Sequence, residues 1–320
     1  MNSQTLQFAL KSLDTAFVNF FKNRSEFPRF KSKRHKNSFT VPQSGKIEGN
    51  SIRIPKFKKG IKVKLHKEVK GKIGKMTISR TPTGKYFVCI CTEEEIQQFP
   101  KSNKAVGIDL GIKDFVITSE GKKFKNNRYT KKYASKLKRE QQHLSRKKKG
   151  SNGFEKQKLK VAKIHEKVSN SRLDTLHKVS YELVKNNQII AIENLNVKGM
   201  IKNRKLSKHI TDASWGSFVN LLHYKCYWYG RELVKINRFF PSSKTCNECG
   251  WINKELNLSD REWTCENGHH LDRDLNAEKN ILKEGLQLYR QGLSITKVED
   301  NSVYYGSMSV ETRSLSIALA

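Results

Sequence analysis

The sequence is short of acidic side chains. Of its 320 residues, 30 are Asp or Glu and 63 are Lys or Arg, so the formal net charge is +33. A surplus of this size is typical of proteins that bind polyanions, because neutralising phosphates releases counterions and gives affinity without reading sequence. A basic surface that is merely solvated is the weaker interpretation. We therefore predict a nucleic-acid partner.

Long apolar runs and targeting signals are also absent. No run approaches the roughly 18 uninterrupted apolar residues that a membrane-spanning helix requires. The first residues have neither the basic segment nor the apolar segment of a secretory signal. The sequence therefore predicts a cytoplasmic protein with no membrane partner.

Cysteine is too scarce for a disulfide scaffold, with six residues in the whole chain. Cys89 and Cys91 lie in an apolar strand pattern, and Cys226 lies in an aromatic helical run. At these three positions the pattern favours core packing. Only the remaining three cysteines are left for chemistry.

Those three are Cys246, Cys249 and Cys265. The C-x-x-C pair and the fifteen residues before the third cysteine are typical of a zinc ribbon, in which Zn²⁺ is structural. Glycine occupies position 268, where a second C-x-x-C would have its last cysteine. The fourth ligand is then His269 or His270, and proximity favours His269.

Three acidic residues stand in apolar surroundings: Asp109 in AVGIDLG, Glu193 in IIAIENL and Asp274 in LDRDLNAEKN. Carboxylates at the ends of apolar strands are costly to bury as charges, and divalent cations satisfy converging carboxylates well. Taken singly, each could be a turn, surface or helix-dipole residue. Asp114 and Asp272 compete with them, but Asp272 precedes a helix and is predicted to cap it, which leaves Arg273 free to reach a phosphate.

The order of elements predicts an α/β fold of the RNase H-like type, with three antiparallel strands, helices, a strand, a helix, a strand and a last helix. In that fold Asp109, Glu193 and Asp274 would meet. Two Mg²⁺ ions could then activate a water molecule and stabilise the leaving oxygen in phosphodiester hydrolysis. Asp109 would bridge the two ions, and the other two carboxylates would complete their coordination.

The predicted domain organisation has six parts. They are a helical segment and basic connector (1–37), a small β-barrel or sandwich (38–103), the first part of the nuclease domain (104–243, with a helical hairpin at about 128–186), the zinc ribbon (244–271), the last nuclease helix (272–292) and a poorly ordered tail (293–320). The connector contains the nucleic-acid-binding candidates Arg29, Lys31, Lys33 and Arg34.

The motifs FPRFKSKRHKNSF, VGIDLGIKDF, IAIENLNVKGM, FFPSSKTCNECG and LDRDLNAEKNIL together resemble the TnpB, or OrfB-type, proteins of IS200/IS605 and IS607 insertion sequences, which are relatives of the Cas12 nucleases. The resemblance covers most of residues 1 to about 290. It implies a RuvC-like nuclease domain that is interrupted by a zinc ribbon and preceded by an oligonucleotide-binding barrel. It further implies metal-dependent DNA cleavage guided by a noncoding RNA from the transposon end, with a part in transposition and DNA recombination.

By the same resemblance, Asp109, Glu193 and Asp274 correspond to the catalytic acids. Against the family pattern, the chain is expected to be shortened at its start by several dozen residues. Two alternatives to a guided endonuclease stay open at this point. One is a non-cleaving nucleic-acid-binding repressor or an inactive transposon remnant, and the other is a transposase that joins DNA strands.

Overall fold

The computed structural model describes residues 3–30, 37–57, 59–257, 259–297 and 317–319. The first helix and the strands of the first sheet that follow it are α1 (Ser3–Phe21), β1 (Asn37–Val41), β2 (Lys46–Glu48), β3 (Ser51–Arg53), β4 (Ile61–Lys64), β5 (Lys72–Arg80) and β6 (Tyr86–Glu93). Then follow β7 (Ala105–Leu110), β8 (Asp114–Thr118), β9 (Lys123–Lys125), α2 (Tyr129–Ser145), α3 (Asn152–Asn186), β10 (Ile189–Ile192), α4 (Val197–Met200), α5 (Ser207–Ala213), α6 (Trp215–Tyr229) and β11 (Glu232–Lys235). The last elements are β12 (Glu262–Thr264), β13 (His270–Asp272), α7 (Arg273–Arg290), a short 3-10 helix (Ile295–Lys297) and β14 (Ile317–Leu319).

The chain divides into two compact units. One unit comprises residues 1–95 and 302–320, and the other comprises residues 96–301. The division falls before the boundary predicted at 103/104. The physical reason is that the Phe99 ring stacks on Tyr229 of the second unit, with 4.3 Å between centroids, while Arg231 covers the same ring.

The first unit is built on a sheet with the strand order β1-β5-β6-β14-β4-β3-β2. Alternating residues such as Met76, Ile78, Val88 and Ile90 are buried, which confirms the period-two pattern read from the sequence. β1 and β2 stand at the two ends of the pairing order among the described strands, so a closed barrel stays a prediction.

The tail predicted at 293–320 lies largely outside the described residues. Where it is described, it differs from the prediction. Residues 295–297 form a 3-10 turn, and the backbone of 317–319 pairs antiparallel with both β4 and β6. The sequence pattern missed this strand because three residues are too few to establish a periodicity.

The second unit contains a five-stranded sheet with the order β11-β10-β7-β8-β9. β7, β8 and β9 form the predicted antiparallel meander, whereas β10 runs parallel to both β7 and β11. The helical hairpin is also confirmed: α2 and α3 are separated at Gly150, whose φ of 83° favours glycine. No helix in the described part of the chain has the length and apolar character needed to cross a bilayer.

Two glycines let α7 lie close against this sheet. A Cβ at Gly107 of β7 would approach the backbone nitrogen of Leu282 to 2.7 Å, and a Cβ at Gly285 of α7 would clash with Ala191 of β10. These close approaches fix the helix across β7 and β10. The start of α7 is thereby placed beside the ends of the two strands, where the sequence has its acidic residues.

Candidate active site and metal centre

Asp109 and Glu193 follow equivalent positions on neighbouring parallel strands. Ile108 of β7 is paired with Ile192 of β10, and each carboxylate is the next residue along its strand. Asp109 is partly buried, between the buried Ile108 and Leu110. The parallel register therefore places these two acidic side chains at the same edge of the sheet.

Asp274 reaches this edge from the first turn of α7. Its Oδ2 lies 3.6 Å from Nη1 of Arg261, which precedes β12. Asp272 is the N-cap of α7, as predicted, because its Oδ1 accepts a hydrogen bond of 2.8 Å from the amide of Leu275. Because Asp272 is committed to the cap, Asp274 is the better candidate for the site.

The electrostatics of Asp109 indicate that the three carboxylates converge. The pKa of Asp109 is raised to about 7, first by burial and then by the negative charges of Glu193 and Asp274. A hydrogen bond from the Leu110 amide and the charge of Arg273 act in the opposite direction. Like charges so arranged favour a divalent cation between them.

Glu193 is held in place by a residue that the sequence did not single out. The hydroxyl of Ser242 donates a hydrogen bond of 2.6 Å to Glu193 Oε1, and Ser242 is itself buried. Two buried asparagines of α7 fix the loop that contains this serine. Asn280 donates to the carbonyls of Ser242 and Thr245, and Asn276 donates to Thr245. No sequence pattern marks a serine that orients a carboxylate, so the role of Ser242 is visible only in the folded loop.

A fourth carboxylate, Glu278, was also missed by the sequence analysis. It follows Asp274 by one helical turn on α7, and none of its surface is exposed. The pKa of Glu278 is raised to about 9, first by burial and then by the charges of Asp109 and Asp274. In sequence it looks like an ordinary polar-face glutamate of an amphipathic helix.

The cysteine cluster closes around one point. The ligand atoms of Cys246, Cys249, Cys265 and His269 all lie within 4.8 Å of one another. The Cys249 and Cys265 sulfurs are 3.7 Å apart, and Nδ1 of His269 lies 3.1 Å from Cys265 Sγ and 3.7 Å from Cys246 Sγ. Two thiolates bound tetrahedrally at about 2.3 Å from zinc would be about 3.8 Å apart, so the donor set fits a structural zinc ion.

The structure also distinguishes between the two histidine candidates. His270 faces away from the cluster, with Nε2 3.5 Å from Glu262 and Nδ1 3.3 Å from Thr264. Hydrogen bonds, first among them one from the Trp251 amide, lower the pKa of the Cys249 thiol to about 6. A thiol that ionises near neutral pH is a ready metal ligand.

Among the residues described, the Cys3His group is the one set of three or more potential ligands gathered within 4.8 Å. The catalytic candidates are spread more widely than that. Their fit to cations rests on the chemistry of the donors, which are hard oxygen ligands, and on the two buried oxygens of Glu278 that have no hydrogen-bond partner in the described part of the chain.

The predicted nucleic-acid contacts have mixed outcomes. Arg29 is exposed and pairs with Glu26 at 2.8 Å. Arg273 donates to the carbonyls of Asn257 and Asp260, so it braces a loop of the ribbon rather than pointing freely outward. Lys31, Lys33 and Arg34 lie outside the described residues, and contacts of all five with nucleic acid stay predictions.

Family profiles match two consecutive parts of the chain. One of the IS605 OrfB type, described as "Probable transposase", matches residues 88–204. One described as "Cas12f1-like, TNB domain" matches residues 215–281. Together the matched segments contain Asp109, Glu193 and Asp274.

Whole-chain relatives agree with these profiles. A protein of Streptomyces pristinaespiralis named "Putative RNA-guided DNA endonuclease" is 40% identical over 306 residues, which cover 94% of this chain and 76% of the relative. The protein of Escherichia coli K12 named "Putative RNA-guided DNA endonuclease InsQ" is 34% identical over 88% of this chain and 74% of its own length.

A solved structure described as a Cas12f1-sgRNA-target DNA complex overlaps with a TM-score of 0.43 and 18% identity. The overlap covers 85% of this chain and 77% of that chain. The relation of this chain to the two sequence relatives does not depend on that overlap.

Proposed function

Since the chain belongs to the family of IS605 OrfB-type transposase proteins, we propose that it is an RNA-guided DNA endonuclease that hydrolyses phosphodiesters at Asp109, Glu193 and Asp274. The observation that carries the proposal is that Asp109 and Glu193 come at the same edge of the sheet and that the charges of Glu193 and Asp274 both act on Asp109. The transposon end is the proposed source of the guide RNA, and transposition and DNA recombination are the processes served.

The sheet of the second unit supports an RNase H-like, or RuvC-like, domain. In chain order its strands are arranged 5-4-1-2-3, with the second strand antiparallel to the first. Asp109 lies on the first strand, Glu193 follows the fourth, and Asp274 opens the last helix. This is the arrangement predicted from the order of elements, and it suits phosphodiester hydrolysis with two cations.

Different contacts position the three candidate catalytic carboxylates. Ser242 orients Glu193, Arg261 lies against Asp274, and the close packing of α7 at Gly107 sets the distance of the helix from β7. Mg²⁺ ions bound by these carboxylates would activate a water molecule and stabilise charge on the phosphate. The residues of the chain hold the cations and present the pocket to the DNA backbone.

The Cys3His cluster is proposed to hold a structural zinc ion. Two of its cysteines, Cys246 and Cys265, pack with Trp263 and Leu271 into an apolar cluster, which is too small to stabilise a domain alone. Zinc ligation supplies the missing folding free energy. The ribbon in turn adjoins the loop that holds Glu193, through Thr245 and Asn276.

RNA and DNA are the proposed partners, and the charge of +33 supports them. In the second unit, α2 has no buried residue and is followed by the basic run at 146–149. Positive charge on the exposed helix α2 and the turn after it suits a sugar-phosphate backbone. We assign this surface to nucleic acid in general, without a choice between RNA and DNA.

An exchange of the guide tests the proposed function. The protein is coexpressed with the DNA that flanks its gene, and the RNA that copurifies is identified. That RNA is then remade with a different guide segment and combined with protein, Mg²⁺ and two plasmids, each matching one guide. We expect cleavage to move from the first plasmid to the second.

Three other outcomes would contradict it. No cleavage with either guide, while RNA still binds, would favour a non-cleaving binding protein. Cutting of both plasmids alike would remove the guide from the mechanism. Joined DNA products in place of free ends would indicate a strand-transferring transposase.

A further inference from the structure

Glu278 is the most buried acidic side chain that the proposed mechanism does not use. It lies in the middle of α7 with no exposed surface. Neither carboxylate oxygen has a hydrogen-bond partner among the described residues. Buried carboxylates are normally paired or bound to a metal, because an unpartnered one costs several kcal/mol.

The surroundings of Glu278 identify what it faces. The charges acting on it are those of Asp109, Asp274 and Asp272, opposed by Lys123 of β9. Two of these acids belong to the site described above. Glu278 therefore lies behind the same pocket, on the side where α7 meets β7.

Glu278 lies where α7 packs most closely on β7. The backbone of Glu278 rests directly on Gly107, where any Cβ would clash with its carbonyl oxygen. The side chain of Glu278 has no exposed surface, so it is enclosed where α7 packs on β7. A glutamate on the opposite face of the helix would be hydrated at little cost.

We propose that Glu278 is a fourth carboxylate of the divalent-cation pocket, where it supplies negative charge that helps to hold a cation beside Asp109 and Asp274. The inference rests on the proposed function for the identity of the pocket. A hard cation with oxygen ligands, such as Mg²⁺ or Mn²⁺, satisfies both orphaned oxygens at once, directly or through a bound water. Packing alone would favour an apolar residue at this place.

The test measures cation affinity without cleavage. Full-length protein that retains its zinc but has no added Mg²⁺ is titrated with Mn²⁺, and free Mn²⁺ is followed by electron paramagnetic resonance. We expect Glu278→Gln to weaken Mn²⁺ binding by about tenfold or more, as loss of supporting groups does at metal sites. The matched control is Glu284→Gln on the same helix, which should bind Mn²⁺ like the wild type.

Thermal unfolding without Mn²⁺ separates this role from a packing role. Glutamine keeps the size of the side chain, so the metal-free variant should be about as stable as the wild type, and it should gain less stabilisation from Mn²⁺ than the wild type does. Unchanged Mn²⁺ affinity in Glu278→Gln would overturn the proposal, whatever the unfolding temperature. If that variant fails to fold, Glu278→Ala is titrated instead, with the same criterion.

The failure of this proposal and the failure of the proposed function can be told apart. Weakened Mn²⁺ binding in Glu278→Gln, together with a wild type that never cleaves DNA, would reject the endonuclease and keep the cation site. Guided cleavage by the wild type, together with unchanged Mn²⁺ affinity in the variant, would reject only the role of Glu278.

Discussion

Asp109→Asn is expected to lower the rate of guided DNA cleavage by about a thousandfold or more, which corresponds to about 4 kcal/mol of transition-state stabilisation. The substitution keeps the shape of the side chain but removes the Asp109 carboxylate, on which the charges of Glu193 and Asp274 act. Binding of RNA and of target DNA should stay within about threefold of the wild type, because Asp109 contributes no positive charge to the nucleic-acid surface.

The pH dependence of stability tests the burial of Asp109. Because burial raises its pKa from 3.8 to about 7 in the folded, cation-free protein, the folded state holds a proton that the unfolded state releases over that range. The free energy of unfolding should therefore fall as the pH rises from about 4 to about 7, and Asp109→Asn should reduce that fall. Urea titrations at several pH values measure it.

Asp114→Asn serves as the matched control, since Asp114 begins the adjacent strand β8 at the same sheet. It should cleave at a rate close to that of the wild type. Cleavage by Asp109→Asn within tenfold of the wild type would contradict the role given to Asp109. Loss of RNA binding in that variant would indicate a structural residue instead.

Cys246→Ser is expected to reduce bound zinc from one ion per chain to nearly none and to unfold the ribbon. The thiol is buried in the cluster with Trp263 and Leu271, and a structural zinc ion contributes on the order of 10 kcal/mol of apparent binding free energy in small domains. Zinc content is measured on purified protein by atomic absorption, and ribbon unfolding by limited proteolysis.

A pair of histidine variants gives the sharper control. His269→Ala should lose zinc as Cys246→Ser does, whereas His270→Ala should retain it, because His270 faces Glu262 and Thr264. Equal zinc content in the two histidine variants would contradict the ligand set. Zinc loss should also reduce cleavage, because the loop from Ser242 to Asn247 connects the ribbon to Glu193.

Local sequence patterns pointed to the three carboxylates and to the cysteine cluster, whose catalytic and zinc-binding roles stay predictions. Asp109 and Glu193 come at the ends of apolar strands, and Asp274 follows a helix cap, so periodicity, the order of elements and the family resemblance together indicated where they would lie. The C-x-x-C spacing indicated the ribbon in the same way. These features are local, and local patterns are what a sequence displays directly.

Ser242 and Glu278 could not be found in this way. Ser242 belongs to a loop whose path is set by Asn276 and Asn280 of a helix more than thirty residues later. Glu278 is charged and lies in an amphipathic helix, where the usual prediction is exposure. Its burial follows from the contact between α7 and Gly107, which depends on the packing of the whole sheet.

A cation site at Asp109, Glu193 and Asp274 is tested most directly by anomalous X-ray scattering from crystals of the protein grown with Mn²⁺. The ribbon zinc, recorded at its own absorption edge, serves as an internal reference. We expect manganese signal against the Asp109 carboxylate in the wild type and none there in Asp109→Asn. Wild-type crystals with manganese signal elsewhere but none at Asp109 would contradict the assignment of these carboxylates as the nuclease centre.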